Sequence, residues 1–266
     1  MRVRDGRATV TGTVCVPAVR NSSAASPSES GRQIPWRYRD GRAGRSASDP
    51  GAGSIPVRRL LLVRHAPTSA TRSASFPVDE ALDARGRAAA SLLGVSLPAR
   101  FELLCSPALR CRETAAAAGL IEPRVRPELA ECDFGSWAGR SLADVDAADR
   151  GATGAWLTDP DACPHGGESL TVFAARVADW LDGQSGRSGC AVAITHGGVV
   201  KAALVHALGA PLDAFWRIDA SPLSITELHA HDGRWTVTRV NCAPTPPRVT
   251  GQARSGDAAG VAGPRS

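Results

Sequence analysis

Two arginines and two histidines are placed by apolar runs that stop abruptly. Leu60-Leu61-Leu62-Val63 leads into Arg64-His65 and is broken by Pro67. Cys190-Ala191-Val192-Ala193-Ile194-Thr195 leads into His196-Gly197-Gly198, and Phe101-Glu102-Leu103-Leu104-Cys105, broken by Ser106-Pro107, precedes a helical pattern that carries Arg110. Guanidinium forks match the oxygens of a phosphate. Imidazole is largely neutral near pH 7 and can carry a phosphoryl group covalently. Each residue alone is a weak signal, and their convergence is what carries weight.

That convergence depends on the elements. Short apolar runs of this kind read as strands buried on both faces, and ligands bind in the crevice outside the carboxyl ends of parallel strands. After the first strand, 68–79 reads as a loop over the site, and 83–93 as an alanine-rich helix with Ala84, Ala88, Leu92 and Leu93 on one face. The Arg110 helix runs to about Ala118 and stops at Gly119. A short run from Val125 leads toward Glu131, and 141–148 reads as a brief helix. Leu170, Phe173, Ala174, Val177, Trp180 and Leu181 mark an amphipathic helix up to Gly183, and Val199 to Leu208 marks another, ended by Gly209 and Pro211. The runs 223–230 and 235–240 read as a β-hairpin. Strands alternating with helices and closed by an antiparallel element imply a three-layer α/β/α sandwich with a mostly parallel sheet.

Charge is distributed unevenly over the 266 residues. Residues 1–57 carry a net +5, residues 58–243 a net −2 and residues 244–266 a net +2. The basicity belongs to the ends, so the body shows no call for a specific nucleic-acid partner. Residues 1–57, rich in Arg, Ser, Gly and Pro, read as a disordered extension, 58–243 as the folded domain and 244–266 as a disordered tail. The mildly apolar stretch 8–19 is interrupted by threonines, Gly12 and Pro17 and does not read as a signal peptide. No run approaches the roughly 20 apolar residues of a membrane helix. Seven cysteines without a Cys-x-x-Cys pair suit a reducing cytoplasm.

These motifs resemble the histidine phosphatase superfamily, which includes the cofactor-dependent phosphoglycerate mutases. Arg64-His65-Ala66 looks like the family's Arg-His-Gly signature, and Ser106-Pro107-Ala108-Leu109-Arg110 carries its second arginine. Leu129-Ala130-Glu131-Cys132-Asp133-Phe134-Gly135 is similar to its acid motif, Gly167-Glu168-Ser169 to a minor motif, and Thr195-His196-Gly197-Gly198 to its second histidine. The resemblance spans 58–243 and implies a phosphoglycerate mutase-like fold. It also implies a cytoplasmic phosphomonoester hydrolase that uses neither metal nor cofactor. A small phosphorylated substrate is the partner implied, α-ribazole 5′-phosphate being one specific candidate beside sugar phosphates and protein phosphohistidine; no oligomeric state is assigned. A mutase-type phosphoryl transferase and a silent phosphoryl-binding protein are the alternatives.

By that resemblance His65 is the nucleophile, with its other ring nitrogen donating to a backbone carbonyl. Arg64 and Arg110 stabilise the transferring group, and His196 adds charge and hydrogen bonding if it is protonated beside the phosphate. Glu131 is the general acid; to donate it must keep its proton, which burial near Phe134 and Trp137 favours and the cationic pocket opposes. Pro67 and Thr71 stand where the family often has glutamate and asparagine, so Thr68 or Thr71 is expected to hold phosphate, with Gly197 and its neighbouring amides as further donors. The plainer alternatives are a buried structural Cys111, helix capping by Ser169, a salt-bridge role for Arg176 and a core role for Trp137. His229 and His231 alternate on a predicted strand with no third ligand and read as surface histidines.

Overall fold

The computed structural model describes residues 57–244; the expected extension and tail lie almost wholly outside them. Strand β1 (Arg58–Arg64) is followed by the one-turn helix α1 (Ser69–Arg72), α2 (Ala84–Ala90), β2 (Glu102–Cys105), α3 (Leu109–Ala117) and the two-residue β3 (Arg124–Val125). Next come α4 (Leu142–Ala148), α5 (Arg150–Thr158), α6 (Leu170–Ser185), β4 (Gly189–Thr195), α7 (Gly197–Leu208), β5 (Ile225–His231) and β6 (Arg234–Cys242). The six strands form one mixed sheet in the order β3-β2-β4-β1-β5-β6. Its first four strands are parallel, while β5 pairs antiparallel with β1 and β6 antiparallel with β5.

Alternation along the strands feeds two cores. Leu60, Leu62, Leu104, Ala191, Ala193 and Leu228 face α6 and α7, whose Phe173, Val177, Leu181, Val200 and Leu204 complete that layer. Leu61, Val63, Cys105, Val192 and Ile194 face the other way, against Ala90 of α2 and Cys111 and Ala115 of α3. Helices therefore cover both faces of the sheet, as expected. Truncating one of these leucines, such as fully buried Leu62, removes roughly 2–5 kcal/mol of stability.

Two expectations need correction. The 68–79 stretch holds α1, which Thr68 starts by accepting a hydrogen bond from the Thr71 amide while Thr71 bonds back, a capping box. Helix α2 ends at Ala90, and Ala84, Ala88 and Leu92 are exposed; the buried positions are Leu82, Gly86, Ala90 and Leu93. The reason lies at Gly86, where a Cβ would collide with the Pro67 carbonyl, so the helix turns its glycine toward the segment after His65. Helix α5 and the 3-10 turn Leu212–Arg217 were not expected. Among the described residues, no helix is long and apolar enough to cross a membrane.

Candidate active site

Three adjacent parallel strands end together, and each delivers one polar residue. His65 follows β1 and donates its amide to the Thr195 carbonyl at 2.8 Å; Ser106 follows β2 and donates to Ile194 at 2.9 Å; His196 follows β4 directly. The rings of His65 and His196 lie 5.3 Å apart, edge to face. Arg110, near the start of α3, reaches back to them and is only 4% exposed. Glu131 arrives from the loop after the 3-10 turn Pro127–Leu129. Arg176 of α6 pins that loop, donating to the carbonyls of Glu128 and Ala130 at 2.9 and 3.1 Å and pairing with Glu168 at 2.7 Å.

The hydrogen bonds fix both imidazoles. His65 Nδ1 lies 2.7 Å from its neighbour's carbonyl, Ala66 O, which only accepts, so Nδ1 carries the proton and Nε2 keeps its lone pair. Burial, then the Arg110 charge, push its pKa down to about 3, which keeps the ring neutral. His196 adopts the opposite tautomer. Its Nδ1 accepts from Arg110 Nη2 at 3.1 Å, so its Nε2–H donates to Ser106 Oγ at 2.7 Å. Burial, followed by Arg110 and His65, holds His196 well below the usual histidine range. The neutral His196 ring thus braces Arg110 through Nδ1 and Ser106 through Nε2.

Arg110 and Arg64 retain unused donors. Arg110 Nη1 donates to the Val78 carbonyl at 2.8 Å, and Arg64 Nη1 to the Ala220 carbonyl at 2.5 Å. The Nε atoms of both are buried and make no hydrogen bond among the described residues. Buried guanidinium nitrogens without partners suit an incoming oxyanion. Arg64, His65, Thr71, Arg110 and Glu131 line one cavity of about 80 Å³. Thr68 is fully buried, and its hydroxyl is occupied by Thr71 and by Glu80 at 3.0 Å. Thr71 lines the cavity; Thr68 holds its rim.

Glu131 stands at a boundary. With Arg64 it lines the small cavity and also an adjoining one of about 240 Å³. Its carboxylate accepts from the Gly198 amide at 3.3 Å and the Cys132 amide at 3.2 Å. Gly197 lies against the Arg64 guanidinium, and at Gly198 a Cβ would collide with Glu131 Oε1. The larger cavity is walled by Phe134, Trp156, Phe215 and Trp216, with Lys201 and Asp219 adding charge beside Arg64 and Glu131. Trp137 is absent from that wall; it is buried with Phe76 and Val145 in a cluster that backs Phe134 and Trp156.

A model of the histidine phosphatase superfamily (branch 1) matches residues 60–243. The chain belongs to the histidine phosphatase superfamily. Among relatives of this histidine phosphatase, a glucosyl-3-phosphoglycerate phosphatase from Mycolicibacterium vanbaalenii is 33% identical over 179 residues, which cover 59% of this chain and 77% of the relative. The solved α-ribazole phosphatase from Shigella flexneri is similar at 26% identity and a TM-score of 0.62, covering 70% of this chain and 98% of that one. A mycobacterial glucosyl-3-phosphoglycerate phosphatase structure is similar at 27% identity and a TM-score of 0.61, covering 70% and 100%. These relatives are phosphatases, and so is this chain.

Sequence reasoning missed Glu80, Ser106 as a histidine partner, the room that Gly198 leaves for Glu131, Lys201 and Asp219. The glycine doublet after His196 was a usable signal, because two consecutive glycines at a helix start imply a close neighbour. Glu80 carried none. Two other carboxylates near Glu131 in sequence, Glu113 and Asp133, accept from the Leu82 and Gly135 amides. Ser169 caps α6, Cys111 is fully buried and His229 bonds Glu227. Among the described residues, no cluster of three His, Cys, Asp or Glu side chains is suited to a metal.

Proposed function

We propose that this phosphatase hydrolyses a small phosphorylated metabolite in the cytoplasm through a covalent phospho-His65 intermediate, with α-ribazole 5′-phosphate as the specific candidate. The observation that carries the mechanism is the position of Glu131 between the two cavities, one holding His65 and the arginines, the other open to a leaving group. His65 Nε2 forms a bond to phosphorus as the P–O ester bond breaks, and Glu131 gives its proton to the departing alkoxide. Water then loses a proton to the Glu131 carboxylate and attacks phosphorus, and the N–P bond breaks to release inorganic phosphate. Arg64 and Arg110 spread charge from the equatorial oxygens, Arg110 being held by His196 and Ser106. Thr71 and the Gly197 segment are proposed as substrate contacts.

The aromatic wall supports a leaving group with a flat ring, as in α-ribazole. Lys201 supports a second reading, a phosphorylated sugar acid such as a glucosyl-3-phosphoglycerate. Its ammonium sits 4.1 Å from the Phe215 ring centroid and forms no ion pair within 4.0 Å among the described residues, so it is available to a carboxylate.

EDTA-insensitive release of phosphate from p-nitrophenyl phosphate is the first test. Wild type is expected to be active, His65→Ala inactive, and Glu131→Gln slowed by about 10²-fold or more. An active His65→Ala protein sinks the phosphohistidine route. Comparing kcat/KM for α-ribazole 5′-phosphate and glucosyl-3-phosphoglycerate then decides the leaving group, and isomerisation of a phosphoglycerate without net phosphate release identifies a mutase instead.

A further inference from the structure

The cavity in front of His65 contains a carboxylate that the reaction does not require. Glu80, on the segment between α1 and α2, lines the same space as Arg64, His65, Arg110 and Glu131. Thr68 fixes it there, donating its hydroxyl to Oε1 at 3.0 Å while it accepts the Thr71 amide as the cap of α1. The other oxygen, Oε2, is buried, accepts no hydrogen bond among the described residues and lies 3.7 Å from Arg110 Nη1. That is the one ion pair Arg110 makes among the described residues. The guanidinium that would grip a phosphoryl group therefore already faces an anion.

We propose that Glu80 is a resident competitor of phosphate, neutralising Arg110 while the cavity is empty and repelling inorganic phosphate once it has formed, so that product leaves readily. The proposal rests on reading this cavity as the phosphoryl site. Like charges brought together in a partly dewatered space repel more strongly than in bulk water. A substrate offsets that repulsion with contacts in the larger cavity, which inorganic phosphate does not make. Glu80 thus weakens both by a similar factor, and the product, which lacks those further contacts, is left the more weakly held.

A purely structural role predicts the opposite sign, since removing a brace from Arg110 would loosen phosphate. Binding of inorganic phosphate to the full chain is measured by titration calorimetry, alongside its inhibition constant against p-nitrophenyl phosphate, for wild type, Glu80→Gln and Glu80→Ala. Glutamine keeps the shape and an oxygen for Thr68 while losing the charge. Phosphate is expected to bind Glu80→Gln about tenfold more tightly or better, with the inhibition constant falling in step. Equal or weaker binding than wild type overturns the proposal. If the glutamine variant does not fold, the alanine variant is read by the same two outcomes. Absence of phosphate binding in every protein overturns the phosphoryl-site reading as well, so the two failures are distinguishable.

Discussion

Much of the candidate site turns on small distances around Glu131. Its carboxylate rests against the first turn of α7, and the missing side chain of Gly198 leaves the room it occupies. Alanine at this position has the better helix propensity, by up to about 1 kcal/mol. It would nevertheless displace the acid, because its methyl would also meet Phe173 at 3.1 Å. Gly198→Ala is therefore expected to keep its melting temperature within a few degrees and to lose about 10²-fold in kcat, with phosphate inhibition little changed. Steady-state kinetics with a thermal melt check this, and an unchanged kcat would show that Glu131 does not act from the place where it rests. The residues legible in the sequence were those at the ends of apolar strands, because the strand fixes where the next side chain goes. Glu80 and Lys201 were illegible for the complementary reason: each reaches the site from an element whose local pattern says nothing about what lies opposite.

At the scale of elements, strands and long helices were read well and the insertion between β3 and α6 poorly. Helix α6 shows its buried Leu170, Phe173, Val177 and Leu181 at helical spacing, as a helix packed on a sheet must. Helix α5 contains Gly151 and Gly154, which oppose helix formation, and buries only Thr153. Its support comes from the Asp149 cap, whose side chain accepts the Ala152 amide, and from Trp156, packed 4.8 Å from Trp216 and 5.6 Å from Trp137. Such support is tertiary and leaves no local period to read. Because α5 contributes to the larger cavity and not to the smaller, Trp156→Ala should separate their functions. The expected result is a KM for p-nitrophenyl phosphate raised about tenfold while the phosphate inhibition constant stays within twofold, since ring stacking is worth about 0.5–1.5 kcal/mol beyond area. Both constants changing together would mean that α5 supports the whole site.

The whole molecule carries a cost for this geometry, because two imidazoles are buried uncharged at the centre of the sheet's edge. His65 is depressed to about 3 and His196 lies well below its ordinary range, in each case first through burial and then through Arg110. In the unfolded chain both titrate near 6.5. Above that pH neither state binds these protons, and the stability they permit is fully present. As the pH falls from about 6.5 toward 3 the unfolded chain takes up protons that the native state refuses, so stability declines, with each histidine adding about 1.4 kcal/mol per pH unit to the slope. The paired carboxylates Glu102 and Glu227 do not obscure this between pH 6.5 and 5, since, held low against burial by their pairings with Arg58 and Arg59, they lose their contribution only at lower pH. Urea unfolding at pH 6 and pH 5 should thus show a steep loss in wild type. In His65→Ala the loss should be shallower by about 1.4 kcal/mol per pH unit, whatever the variant's absolute stability. Parallel slopes would mean that His65 charges freely in the folded protein. A neutral nucleophile at pH 7 would then owe nothing to its burial, and activity should fall with the ordinary histidine titration near 6.5.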